Sequence, residues 1–231
     1  MISTSIKNIT KNVISKTLPD SIRLQYLAYR PKLETWRKKH AKPLTPVFKE
    51  RTEMYDFLNG DILSNKAIDY LEFGVFEGSS IKYWAHLNSN KSSRFIGFDT
   101  FTGLPENWDH FSYTMKSQTF NVDGQLPKID DGRVSFVKGL FQDSFPPFLK
   151  EYQPQNQQLV IHNDSDLYSA TLYVLSRAND IITPGTIIIF DEFYGILHEF
   201  RALEDYCSSY MRNYDVIAAT QNYDQIAIRI R

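Results

Sequence analysis

Ala67-Ile-Asp-Tyr-Leu-Glu-Phe-Gly-Val-Phe-Glu-Gly-Ser-Ser80 passes from an apolar run, through two glycines, to a pair of hydroxyls. Ile68, Tyr70, Leu71 and Phe73 favour a β-strand and are too few for a helix. After Gly74 and Gly78 the apolar pattern resumes at Ile81, Trp84, Ala85 and Leu87 with helical spacing. A strand, glycine turn and helix in that order set free backbone N–H groups and a positive helix end beside a ligand. The glycines permit close approach of backbone and ligand, and Ser79 or Ser80 is suited to cap the first turn. The spacing differs from the Gly-x-Gly-x-x-Gly of dinucleotide sites, and a tight turn with no ligand is the plain alternative.

Arg94-Phe-Ile-Gly-Phe-Asp99 is a second strand-like run, and its terminal carboxylate follows Gly74 by 25 residues. An acid at the end of a second strand can accept hydrogen bonds from both hydroxyls of a ribose. The two runs together read as a nucleoside site.

With 231 residues, 42% of them hydrophobic, and a net charge of −1, the chain has room for one α/β domain with appendages. No run approaches the roughly 18 apolar residues of a membrane span. The first residues lack the apolar core of a signal peptide, so a cytoplasmic location is expected. A single cysteine, Cys207, excludes an intrachain disulfide and a cysteine-built zinc site. Charge is unevenly placed: residues 1–51 hold 12 Lys/Arg against 3 Asp/Glu, and the remainder holds 14 against 24. Residues 1–49 read as a basic helical arm broken at Pro19, Pro31, Pro43 and Pro46. Packing on its own acidic body, or on a neighbour in a homo-oligomer, is favoured over nucleic acid. Lys38-Lys39-His40 has no aromatic residues interleaved with it, as a single-strand binder would need.

Residues 50–231 form the expected domain. An amphipathic helix over 52–63 leads into the first strand, and 102–132 is a long polar and aromatic lid or insertion in which Trp108, Phe111 and Tyr113 are candidate pocket residues. Further strands are expected at 134–138, 159–162 and 186–190, with helices over 145–152, after 168 and around Phe200, Leu203 and Tyr206. The runs 215–219 and 225–230 are separated by so short a turn that they must pair antiparallel. The fold class is therefore α/β, a Rossmann-like, doubly wound, mostly parallel seven-stranded sheet closed by a C-terminal antiparallel hairpin.

Asp164, Asp166, Asp191 and Glu192 all fall just past two apolar strands, where open α/β sheets bind ligands. If those strands are neighbours, the carboxylates converge on one hard cation such as Mg²⁺, or one of them stays protonated as an acid. Helix capping is the alternative for Asp164 and Asp166 taken singly. His162 and His198 are consistent with either packing or ligation.

The blocks at 72–80, 97–106 (Gly-Phe-Asp-Thr-Phe-Thr-Gly-Leu-Pro-Glu), 139–146 (Gly-Leu-Phe-Gln-Asp-Ser-Phe-Pro), 162–171 (His-Asn-Asp-Ser-Asp-Leu-Tyr-Ser-Ala-Thr) and 189–193 (Ile-Phe-Asp-Glu-Phe) resemble, in this order, the class I S-adenosylmethionine-dependent methyltransferases, specifically the macrocin O-methyltransferase (TylF/MycF-like) family. The resemblance implies methyl transfer to a hydroxyl of a small molecule, often a sugar of a natural product, with Mg²⁺ assistance; a catechol or phenol acceptor and a non-catalytic nucleoside-binding module are the alternatives. It implies that Glu72, Gly74 and Gly78 hold the methionine part of the cofactor and Asp99 its ribose, with Phe76, Ser79, Thr100 and Asp143 completing the cofactor contacts. Asp164, Asp191 and Glu192 would ligate the metal, and Asp164 or Asp166 would serve as base. Two departures stand out: Glu192 occupies a position where many relatives have Asp, and Asn163 replaces an apolar residue.

Overall fold

The computed structural model describes residue 19 and residues 21–40, 45–154 and 157–231. In chain order these form α1 (Ile22–His40), β1 (Val47–Phe48), α2 (Arg51–Phe57), β2 (Ile68–Phe73), α3 (Ser79–Leu87), β3 (Arg94–Asp99), β4 (Trp108–Asp109), β5 (Thr114–Met115), β6 (Val134–Lys138), α4 (Phe141–Glu151), β7 (Gln158–Asn163), α5 (Tyr168–Arg177), β8 (Ile187–Phe190), α6 (Arg201–Ser209), β9 (Tyr214–Thr220) and β10 (Ile226–Ile230). A wider helical turn extends α2 over Leu58–Ile62, and another, Ile196–Phe200, leads into α6.

Among the described residues the main sheet has eight strands in the order β1-β9-β10-β8-β7-β2-β3-β6. The seven expected strands are joined by the two-residue β1, which pairs parallel with β9 at the edge. β10 inserts antiparallel between β8 and β9, forming the C-terminal hairpin. Every other pair is parallel. The chain runs outward from β2 through β3 to β6, then returns to β7 on the other side of β2. That reversal is the switch point where such sheets open a crevice.

Strand residues divide by alternation between two cores. Leu71, Phe73, Ile96 and Phe98 face one, with α1, α4, α5 and α6; Ile68, Tyr70 and Phe95 face the other, with α2 and α3.

Three local expectations change. Pro31 lies inside α1 instead of breaking it. The carbonyl it leaves unpaired, that of Leu27, belongs to a turn whose side chain is 56% exposed, while Tyr26, Leu33 and Trp36 anchor the opposite face. Pro43 lies outside the described residues. Gly78, with φ 78°, precedes α3 where a serine cap was expected, and the Ser80 hydroxyl turns inward. α4 starts at Phe141, before position 145, because the Leu140 carbonyl already accepts the Ser144 N–H at 2.9 Å.

Residues 102–132, the segment expected as a lid, carry a short hairpin, β4 with β5, and a bridge between Thr102 and Asn121. Among the described residues no helix is long and apolar enough to cross a membrane.

Candidate active site

Register does the assembling. Phe98, Phe73, Asn163 and Phe190 are partners across β3, β2, β7 and β8. The next residue of each strand therefore falls into one row: Asp99, Gly74, Asp164, Asp191. Backbone bonds extend the ladder to that row, from Gly74 N to Phe98 O (3.0 Å), Asp164 N to Phe73 O (2.9 Å) and Asp191 N to Asn163 O (3.2 Å). A cavity of about 280 Å³ lies over it, with walls that include Arg51, Phe76, Ser80, Leu104, Phe120 and Glu192.

On the glycine side, Gly74 has φ 92°, and the Asp164 carbonyl presses against it. Asp99 ties the turn together: its Oδ2 accepts the N–H groups of Val75 (2.7 Å) and Phe76 (2.9 Å), and its Oδ1 accepts that of Phe101 (2.7 Å). Both lone-pair sites of Oδ2 are thus occupied, and Oδ1 retains one, with Asp99 among the residues that line the cavity. Phe76 is held at φ 52°, a conformation uncommon for a bulky residue, with its ring edge against Phe120 at 5.4 Å. Ser79 and Thr100 line the cavity as well.

Glu72, Gly78 and Asp143 are not among the lining residues. Glu72 is fully buried behind the wall, where it accepts the hydroxyls of Ser80 (2.9 Å) and Tyr70 (2.6 Å), so its link to the cavity runs through Ser80. Gly78 packs under Pro127 of the lid. Asp143 is exposed on the first turn of α4, and Phe141 and Gln142 line the wall instead.

On the other side the four carboxylates fall into two overlapping groups that share Asp164. Oxygens of Asp164, Asp166 and Glu192 lie within 4.8 Å of one another, as do ligand atoms of His162, Asp164 and Asp191. Burial, followed by the charges of Asp191 and Glu192, pushes Asp164 well above the usual carboxylate range. Asp166, at φ 60°, is likewise raised by burial and by Asp164. Glu192 is raised by burial and by Asp191 and Asp166, and it shares a carboxyl–carboxylate hydrogen bond with Asp166.

Asp191 differs. Burial alone would raise it, yet His162, Arg51 and Tyr55 hold it below its ordinary value. Its Oδ2 pairs with Arg51 at 3.1 Å, and its Oδ1 accepts Tyr55 OH at 3.3 Å and lies 3.7 Å from His162 Nε2. Burial opposes the charge on His162, but Asp191 and Glu72 lift its pKa to about 10. His162 Nδ1 lies 3.3 Å from Glu72 and 2.6 Å from Tyr70 OH.

Asp164 and Asp166 do not cap α5, whose N-cap position is Leu167; the first helical N–H, that of Tyr168, goes to His198 Nδ1 at 3.3 Å. His198 Nε2 donates to the Asp109 carbonyl at 2.7 Å, so this neutral ring fastens the lid to α5. Trp108, Phe111 and Tyr113 stand in the lid without lining the cavity, to which the lid contributes Gly103, Leu104, Pro105 and Phe120.

Sequence reasoning missed Arg51, Tyr55 and Glu199. Glu199 is wholly buried and accepts the Glu192 N–H at 3.0 Å and the Asn163 side-chain amide at 3.3 Å. Its signal was faint: one acid directly preceding Phe200 in an apolar helical pattern. Asn163, the departure noted above, bridges Thr171 (2.9 Å) and Glu199.

Residues 71–193, more than half of the chain, match the family described as Methyltransferase domain. The chain belongs to that family. A comparison with curated proteins finds no sequence match. Among solved structures, this methyltransferase is similar to CalS11, a calicheamicin methyltransferase (20% identity, 99% of this chain and 94% of that one, TM-score 0.57). An apo structure of CalS11, described as a TDP-rhamnose 3'-O-methyltransferase, aligns at 19% identity over 99% and 96% with TM-score 0.51. The O-methyltransferase NovP aligns at 18% identity over 78% of each chain with TM-score 0.55. At these identities the likeness speaks to the fold, which is the Rossmann-like methyltransferase fold.

Proposed function

We propose that this methyltransferase uses S-adenosylmethionine to methylate a hydroxyl of a sugar or glycosylated natural product, in the manner of the macrocin O-methyltransferases. The observation that carries the reading is the row Asp99, Gly74, Asp164, Asp191, which puts a nucleoside-type carboxylate and an acid cluster under one cavity. The two named neighbours are themselves O-methyltransferases, which agrees with it.

The cofactor, when bound, would supply a methyl group already activated on a sulfonium, and Mg²⁺, held by the carboxylates, would supply positive charge that favours loss of the acceptor's proton. The residues fit both. A cavity with acids on its walls suits a cationic sulfonium, and Gly74, Phe76, Ser79, Asp99 and Thr100 are placed to hold the donor. Asp164, Asp191 and Glu192 offer the hard oxygen donors that Mg²⁺ prefers, and Glu192 Oε2 is buried with no N–H or O–H donor among the described residues.

The chain's own part is alignment and proton transfer. Asp164 or Asp166 accepts the hydroxyl proton at a carboxylate oxygen, and burial among like charges makes each a stronger base than a free carboxylate. Glu192 steadies Asp166 by their shared hydrogen bond, Glu199 holds the backbone of Glu192, and Leu104, Pro105 and Phe120 exclude water from above.

Calorimetric titration of S-adenosylmethionine and S-adenosylhomocysteine, with and without Mg²⁺, tests the reading. Micromolar binding to wild type that fails in Asp99→Ala is expected, followed by methyl transfer to glycosides in preference to catechols. Absence of binding to wild type under either condition would remove its basis.

A further inference from the structure

We propose that Arg51 is the resident counter-cation of Asp191, a charge that a divalent metal must displace to use that carboxylate. The inference rests on the acid cluster being a metal seat, as proposed above. Arg51 is the first residue of α2, its side chain forms part of the cavity wall, and its Nη1 lies 3.1 Å from Asp191 Oδ2. Asp191 is therefore neutralised by this guanidinium. Asp164, Asp166 and Glu192 form no ion pair with Lys or Arg among the described residues.

The two groups beside Asp191 differ in freedom. His162 is fully enclosed, with Tyr70 OH at 2.6 Å from Nδ1 and Tyr55 OH at 3.4 Å from Nε2, so it stays. The Arg51 side chain is 42% exposed and can swing toward solvent. Its departure leaves the start of α2 intact, because the first turn is secured by Glu53, whose Oε2 accepts the N–H groups of Lys49 (3.0 Å) and Glu50 (3.1 Å). A guanidinium remains charged at any accessible pH and cannot yield by losing a proton. It can yield only by moving, since a divalent ion at the same carboxylate repels it at contact distance.

Mn²⁺ affinity therefore reads the competition directly, without turnover. The full-length chain is titrated with Mn²⁺, by electron paramagnetic resonance of the free ion, as wild type, Arg51→Met, Arg51→Gln and Arg51→Lys. S-adenosylhomocysteine affinity is measured on the same samples. The uncharged variants should bind Mn²⁺ at least tenfold tighter than wild type, Arg51→Lys should stay within threefold of it, and nucleoside affinity should be unchanged within twofold. Uncharged variants that bind Mn²⁺ no tighter than wild type, or a protein that binds none in any form, would overturn the counter-cation role. A chain that ignores the nucleoside while the uncharged variants still gain Mn²⁺ affinity would overturn the methyl-donor reading and leave Arg51 in its role.

Discussion

Gly74 and Asp164 approach so closely that a Cβ on residue 74 would stand 1.7 Å from the Asp164 carbonyl oxygen. Neither partner has room to give, for each directly follows a central parallel strand whose last residues, Phe73 and Asn163, pair in register, and the Asp164 N–H donates to the Phe73 carbonyl at 2.9 Å. Gly74→Ala also meets a φ of 92°, which is strained for any L side chain. We expect a loss of about 3 kcal/mol or more, a melting temperature lower by about 10 °C, and no measurable nucleoside binding. Gly132→Ala, where a Cβ meets nothing within 4 Å, should leave all three unchanged. Equal melting temperatures for the two variants would contradict the assignment.

Asp191 separates stability from chemistry. Asp191→Asn keeps a side chain that Tyr55 and Arg51 can still contact, and it should abolish turnover with nucleoside affinity within threefold of wild type. Asp191→Ala also strips a partner from the buried His162, and a cost of about 3 kcal/mol is expected in thermal or denaturant unfolding. Full activity in Asp191→Asn would sink the metal proposal.

The site was legible where a strand announces its own end. Asp99, Asp164 and Asp191 each close an apolar run, so their alignment needed only the strand order. Arg51, Tyr55 and Glu199 reach the same place from helices and helical turns. There a charged residue beside apolar ones reads as a solvent-facing position, and only tertiary packing shows that Glu199 is buried. Pro31 misled for a related reason: a proline interrupts one backbone bond, and the contacts of Leu33 and Trp36 on the far face outweigh it. The cofactor roles of Glu72 and Asp143 rest on the family resemblance, which matches residues along the chain; in this structure neither side chain lines the cavity.

His110 predicts an acid-sensitive lid. Burial, then the neighbouring His198, lowers its pKa to about 4, and its ring stacks on Tyr113 at 4.2 Å. Below its ordinary value of about 6.5 the unfolded chain takes up this proton and the folded chain does not. Stability contributed by neutral His110 is therefore complete above pH 6.5 and is lost as pH falls through 6.5 toward 4. The buried acids of the cluster have raised values and work in the opposite direction, so the measurement must be differential. His110→Phe should show a flatter fall in melting temperature than wild type between pH 6.5 and 4.5; parallel curves would exclude the assignment.

Trp36 is the joint between α1 and the acid turn. It is 4% exposed, its indole N–H donates to Tyr214 OH at 2.6 Å, and its ring lies 4.8 Å from that of Phe193, the residue after Glu192. Trp36→Ala should cost about 3–5 kcal/mol, since a buried ring and its hydrogen bond are lost together. The cavity would open directly behind Phe193, so Mn²⁺ affinity should fall with stability while the glycine turn, at the end of β2 and two strands from β8, keeps its nucleoside. Leu27→Ala on the same helix, at a side chain 56% exposed, should change stability by no more than about 0.5 kcal/mol. Both variants are compared by denaturant unfolding and Mn²⁺ titration. If Trp36→Ala were as mild as Leu27→Ala, α1 would be an appendage and not part of the wall that supports Glu192.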